Sequence, residues 1–293
     1  MELVFKNIGS TSGFANWLKS FKDIQSSLLI ECDLTNQFFV SKGFTTDHTI
    51  VKYGKVTFED AGFEVLHIKD NEGNNYSLDE WNKNNNVRIK IGIFLILPKF
   101  IQVVETFSET DYRLSIVFDI YNNGTVDEYH AQSLNFKSKS LKMKVKDCNI
   151  SEFEQVSDEL FFTRINVLDD AMSFEITLDA IKNLTSISSV FLTDAKRDII
   201  NFYTKLDKDT DKYAIYAYDK SNESYDYLLG YLTEGIGVET SLPVYRASFF
   251  NSINTKLSGN NIIISLSNIT NNKLRIESTD GNSYTVLSTV TQS

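Results

Sequence analysis

The stretch from Val238 to Val290, VETSLPVYRASFFNSINTKLSGNNIIISLSNITNNKLRIESTDGNSYTVLSTV, decides how the rest of the chain is read. Val238–Leu242 alternates as a strand does. A helix is expected to open on Pro243, because proline at a first helical position leaves no hydrogen bond unmade, and to run to about Leu257 before the stop at Ser258-Gly259. Inside it Phe249, Ile253 and Leu257 recur every fourth residue and form one apolar side, while Ser248, Asn251 and Thr255 turn the other way. Three alternating runs follow, Ile262–Ser267, Lys273–Ser278 and Ser283–Thr289, punctuated by Asn-rich and Asp280-Gly281-Asn282 turns. The unit is one helix laid on a small antiparallel sheet.

The same unit recurs three more times. Copy one has the strand Leu3–Ile8, a helix from about Ser12 to Asp23, then Leu28–Asp33, Gln37–Lys42 and His48–Gly54. Copy two has Val87–Phe94, a helix Pro98–Phe107, then Arg113–Ile120 and a long strand Gln132–Lys146. Copy three has Ser173–Leu178, a helix Asp179–Ser188, then Arg197–Leu206, Lys212–Tyr218 and Tyr225–Thr233. Between copies two and three, CNISEFEQVSDELFFTRINVLDDA breaks the pattern. It is acidic yet carries Leu160, Phe161, Phe162, Ile165 and Val167, more apolar than a solvated connector should be unless part of it lies on a surface. The expected division is therefore 1–148, a connector 149–171, and 172–293.

A chain of 293 residues suits two domains of ordinary size, on the prior of ~100–200 residues each. With 42% hydrophobic residues, 21 Phe and 14 Tyr, it has ample material for packed cores. No apolar run approaches the ~18 residues of a membrane span, and MELVFKNIGS lacks a basic-then-apolar leader, so no membrane role is expected. Cys32 and Cys148 fall in different copies, as in a reduced protein without a disulfide framework.

Enzymatic readings find little to stand on. His48, His67 and His130 are scattered, and no His/Cys spacing resembles a metal site. There is no phosphate-cradling GxxxxGK[ST] and no GxSxG elbow. Asp207, Asp209 and Asp211 begin like a calcium loop, but Lys212 replaces the needed glycine and Tyr218 stands where the bidentate Glu should be, so a hairpin turn is expected. No catalytic residue, cofactor or metal is assigned.

The stretches GFANWLKSFKDI (13–24), SLLIECDLTNQFFVSKGFTTDHTIVKY (27–53) and INTKLSGNNIIISLSNITNNKLRIESTDGNSYTVLSTV (253–290) resemble the DNA polymerase sliding clamps, nearest to the proliferating cell nuclear antigen (PCNA) and the T4-like phage clamps. The resemblance covers essentially the whole chain as a pattern of elements. The insert Asp70–Asn86 and the long strand of copy two depart from it. It implies an α+β fold of two clamp domains, each of two strand-helix-sheet units with helices on one face of antiparallel sheets. It further implies a homotrimer closed as a pseudo-sixfold ring around duplex DNA, a client DNA polymerase, a separate ATP-driven clamp loader and a cytoplasmic location. Heavy use of Asn, Lys and Ile would suit a phage or virus, and then the location is the host cytoplasm.

In clamps the helices line a central hole and touch phosphates without reading bases. Here the residues expected to face DNA are Asn16 and Lys19 with Lys22 on the flank, Lys99 on a side shared with Glu105, Lys182 and Asn183, and in the last copy Asn251 with Lys256 at the edge of the apolar stripe. At a formal charge of −10 the body should repel DNA at long range, and lysines on an inner face would give loose contact that permits sliding. Lysines opposite a buried stripe are also what any solvated helix carries; recurrence across the copies favours a shared surface. The strand FKSKSLKMKVK, with Lys139, Lys142 and Lys144, reads as a lysine-protected edge or a basic patch. By the resemblance it pairs with the neighbouring subunit's Tyr225–Thr233, with Tyr227 and Leu229 in that strand. By the same comparison a client peptide docks among His48, Ile50, Leu160, Phe161, Phe162, Ile165, Val286 and Leu287. Two alternatives remain open: a monomeric viral processivity factor of the same fold, and a β-rich trimeric phage structural protein.

Overall fold

The computed structural model describes residues 1–45, 49–83, 87–94, 96–108, 111–122, 127–146, 148, 150, 153, 161–162, 172–190, 199–219, 226–253, 261–267 and 273–288. The chain forms two compact units, the first of Met1–Gly43 with Tyr53–Gln155 and the second of Phe44–Lys52 with Val156–Ser293. Sheet-rich α+β architecture runs through both, with antiparallel ladders predominating.

In the first unit the chain runs β1 (Glu2–Asn7), α1 (Ser12–Lys19), β2 (Leu28–Asp33), β3 (Phe38–Phe44) and β4 (Ile50–Thr57, shared with the second unit). Next come β5 (Phe63–Lys69), β6 (Asn75–Tyr76), α2 (Leu78–Asn82) and β7 (Arg88–Ile93). The unit ends with α3 (Leu97–Phe107), β8 (Tyr112–Asn122), β9 (Asp127–Ser138) and β10 (Lys142–Lys146). The second unit holds β11 (Met172–Thr177), α4 (Leu178–Val190), β12 (Ile199–Asp207), β13 (Lys212–Asp219), β14 (Asp226–Glu234), β15 (Thr240–Tyr245), α5 (Arg246–Ser252), β16 (Asn261–Leu266), β17 (Lys273–Ser278) and β18 (Ser283–Ser288).

The copies are interlocked in pairs. In the first unit the opening strand of copy one, β1, pairs with β8, the second strand of copy two, and the opening strand of copy two, β7, pairs with β2 of copy one. The second unit repeats this exchange: β11 pairs with β16, and β15 with β12. Each copy thus lends its first strand to its neighbour's sheet. β1 also pairs with β5 and β11 with β14, so each of these strands lies between a strand of its own copy and one of its neighbour's, and the two copies share one continuous ladder.

Aromatic packing seals each helix to its sheet. Phe14 of α1 meets Phe39 at 5.0 Å and Phe63 at 5.5 Å between ring centroids, while Phe107 of α3 meets Tyr112 at 5.3 Å and Phe136 at 5.4 Å. Gly54 on β4 lets α1 approach, since a Cβ there would stand 2.9 Å from the Phe21 ring. In the second unit Phe202 of β12 meets Phe249 of α5 at 4.6 Å.

Several sequence expectations are corrected. Pro243 does not open a helix; it lies in β15 opposite Asn201, and α5 begins at Arg246. Among the described residues β15 ladders with β12 alone, and an edge strand tolerates a residue with no N–H to donate. The long strand Gln132–Lys146 is broken, β9 ending at Ser138 and β10 starting at Lys142, with the Ser138 N–H donating to the Leu141 carbonyl at 2.8 Å across the turn. Lys139 is therefore a turn residue and not a strand residue. Copy two accordingly gains a third strand after its helix, as copies three and four have. The insert Asp70–Asn86 adds β6 and α2, whose Ser77 and Glu80 form a capping box. Asp207 and Asp209 belong to the hairpin joining β12 to β13, where the Asp207 carboxylate accepts the Asp209 N–H at 3.0 Å.

Candidate nucleic-acid and partner interfaces

The helix layer of the first unit is built by α1 and α3, which lie side by side. Phe14, Ala15, Trp17 and Leu18 of α1 are buried, as are Leu97, Phe100, Ile101, Val104 and Phe107 of α3. That turns Asn16, half-buried, and Lys19 outward on α1, with exposed Lys22 just beyond its end, and exposes Lys99, Gln102 and Glu105 on α3. Lys19 Nζ meets Glu105 Oε1 at 2.5 Å, bridging the two helices. Lys22 and Lys99 form no ion pair among the described residues.

In the second unit α4 buries Leu178, Ile181 and Leu184 and exposes Lys182 and Asn183. Lys182 Nζ reaches Asp179 Oδ1 at 3.0 Å, with both side chains well exposed, so water screens most of the attraction. Asn251 of α5 is exposed, Arg246 is buried, and Lys256 lies outside the described residues. The helix faces are polar and cationic in part, with carboxylates at Glu105 and Asp179 offsetting two of the lysines.

The strand β10 ladders with β9 and with no other strand among the described residues. Lys142, Lys144 and Lys146 are exposed along it, and Lys139 is exposed in the preceding turn. On β14, Tyr227 is half-buried and Leu229 buried, while Tyr225 lies outside the described residues. Among the residues expected to meet a client peptide, Ile50, Phe161, Val286 and Leu287 are buried and Phe162 is half-buried, touching Phe161 at 5.8 Å between ring centroids. His48, Leu160 and Ile165 lie outside the described residues. The segment Phe44–Lys52 gathers with the C-terminal strand, the Ser288 N–H donating to the Thr49 carbonyl at 2.9 Å.

No family model and no curated protein sequence matches the chain. Solved structures do. PCNA of A. fulgidus, determined with the C-terminal region of FEN-1, aligns with 100% of this chain and 99% of its own at 14% identity and a TM-score of 0.60. The fold is that of a DNA polymerase sliding clamp. The DNA polymerase sliding clamp of Bacillus subtilis aligns with 99% of this chain at 9% identity and a TM-score of 0.62, but the alignment spans 64% of that clamp. The beta clamp of Helicobacter pylori bound to a DNA ligase peptide aligns at 13% identity and a TM-score of 0.56, over 66% of its length. Identities this low speak to the clamp fold alone.

Of the two ion pairs among the described residues of the helix faces, one was legible in the sequence and one was not. The Asp179–Lys182 pair is readable from its i, i+3 spacing on a helix. The Lys19–Glu105 pair joins helices of different copies, and no local signal announces it.

Proposed function

We propose that this chain is a sliding clamp: a processivity factor that closes as a homotrimeric ring around duplex DNA, does no chemistry of its own, and tethers a replicative polymerase. The observation that carries the reading is the twice-repeated exchange of first strands between copies, together with the clamp fold over the full chain. Support comes from the Lys- and Asn-bearing faces of α1, α3 and α4 on an otherwise acidic molecule. Contacts of that kind carry affinity without sequence information, which a moving ring requires. The basic edge of β10 and the strand β14 are the surfaces assigned to the subunit contact. PCNA with a FEN-1 region and a beta clamp with a ligase peptide motivate a client-peptide site formed by Ile50, Phe162, Val286 and Leu287 with His48, Leu160 and Ile165. A closed ring needs a loader to reach DNA, and a phage or viral replication system in a host cytoplasm fits the composition.

The deciding experiment pairs mass with topology. Light scattering should give three times the 33.4 kDa chain mass. The protein, loaded on nicked circular plasmid, should stay through a high-salt wash and be lost on linearisation. A monomer at every concentration, with equal loss from circular and linear DNA, overturns the ring in favour of a monomeric processivity factor. A trimer with no DNA retention overturns the clamp reading itself.

A further inference from the structure

We propose that a groove on the helix-remote face of the second unit binds a guanidinium, the arginine side chain of a partner protein. The groove has a volume of about 610 Å³, and its walls include Tyr203, Tyr218, Asp226, Glu239 and Ser241. Phe202 packs on Phe249 of α5, so strand alternation sends its neighbour Tyr203 to the opposite face, away from the helix layer. This surface is distinct from the one assigned to DNA; its Asp226 belongs to β14, whose backbone edge, and not this side-chain face, is assigned to the subunit contact.

Its chemistry selects a planar cation. Tyr203 stacks on Tyr216 at 5.1 Å and meets Tyr218 edge-on at 5.4 Å and 76°, giving two nearly perpendicular aromatic walls. The Tyr203 hydroxyl donates to Asp226 Oδ2 at 2.5 Å. Burial, and then the Asp226 carboxylate, push the Tyr203 phenol well up, so it remains a neutral donor to Asp226 Oδ2, and this bond leaves Oδ1 to the groove. Glu239 is exposed and forms no ion pair among the described residues; neither does Lys205, the next residue of β12 on this face. A guanidinium can lie on a tyrosine ring while its N–H groups fork to a carboxylate, whereas an ammonium is a more strongly hydrated point charge that cannot do both.

Asn201, opposite Tyr218 in the ladder, is buried and does not line the groove, so the tyrosines and carboxylates carry the binding. Leu228, opposite Tyr216, is 38% exposed and offers an apolar shelf for residues flanking the arginine. The volume exceeds that of one guanidinium and leaves room for the peptide that carries it.

The test titrates the full chain, labelled with [13C]tyrosine, with the blocked amino acids N-acetyl-arginine amide, N-acetyl-lysine amide and neutral N-acetyl-citrulline amide. Saturable shifts of the Tyr203 and Tyr218 ring signals are expected, with arginine several-fold tighter than lysine and at least tenfold tighter than citrulline. Asp226→Asn, which keeps size and the Tyr203 hydrogen bond, should weaken arginine at least tenfold, and Tyr218→Leu comparably, with urea midpoints near that of the parent. Equal binding of citrulline, or no saturable shift, overturns the proposal. So does an Asp226→Asn variant that changes the solution mass and leaves arginine binding intact, which would assign the groove to a second copy of the chain.

Discussion

Lys19 of α1 and Glu105 of α3 are joined by a 2.5 Å ion pair, so a lysine proposed to face DNA is held by a carboxylate from the neighbouring copy. Each side chain is 42% exposed, which limits the pair's worth to stability to a few tenths of a kcal/mol up to about 1. Its larger effect is on the field that a phosphate meets. Glu105→Gln should therefore raise affinity for duplex DNA about three- to tenfold at low salt while the unfolding midpoint barely moves. The slope of log K against log salt should steepen by about 0.9, as one more cation becomes available to a phosphate. Fluorescence anisotropy with a labelled duplex at several salt concentrations measures both, and an unchanged slope would remove Lys19 from the DNA surface.

The converse substitution tests the surface as a whole. Lys19→Glu, Lys22→Glu and Lys182→Glu together should abolish processive primer extension while the solution mass stays that of the parent. Undiminished processivity would place the DNA contacts elsewhere.

Gly13 is tied to packing. A Cβ there would lie 1.8 Å from the Asp60 carbonyl oxygen, a backbone atom that cannot swing aside. Helix propensity alone says Gly13→Ala should stabilise α1 by up to about 1 kcal/mol. Steric conflict dominates, because relief requires α1 to lift from the sheet and loosen the contacts of Phe14 with Phe39 and Phe63. A net loss of about 2–3 kcal/mol is expected, read as a lower urea midpoint at unchanged m. A midpoint at or above the parent's would mean the turn yields freely.

What the sequence made legible was periodic and local. Alternation along Lys273–Ser278 names a strand because side chains on one face must be buried together, whereas the repeat Phe249, Ile253, Leu257 overran its helix: α5 ends at Ser252, Ile253 is extended, and Leu257 lies outside the described residues. The first break came at Pro243, where a proline suits either a helix start or an edge strand, and only the pairing with β12 decides. The exchange of β1 and β7 between copies was invisible, because a strand's alternation states which face is buried and not which strand lies beside it. Lys19 suffers the same limit: its outward face was readable from α1, its partner Glu105 was not.

The β10 edge gives a prediction about assembly. Lys142 and Lys144 are exposed on a strand that ladders only with β9 among the described residues. Replacing both with Glu reverses the charge that β10 would present to β14 of the neighbouring subunit. Monomers of unchanged secondary structure are expected by light scattering and circular dichroism. A surviving trimer would move the contact to another edge.

Lys52 supplies the pH dependence. It is wholly buried on β4, and its Nζ donates to the Ser252 carbonyl at 3.5 Å, near the outer limit of a hydrogen bond. Burial lowers its ammonium from 10.5 to about 8. Below about pH 8 the folded and unfolded chains both carry the proton, and the folded one bears the net cost of burying that charge. Between about 8 and 10.5 the folded chain releases the proton while the unfolded chain keeps it, so the unfolded state binds more protons and stability rises with pH. Lys52→Met, similar in length and without charge, should therefore stabilise by on the order of 2–3 kcal/mol at pH 7, and by progressively less as pH rises past about 8. Urea titrations of parent and variant at pH 7 and pH 9.5 measure the difference. An advantage that is equal at both values would mean that the Lys52 charge is compensated inside the fold, and a loss of stability at pH 7 would mean that its hydrogen bond outweighs the desolvation.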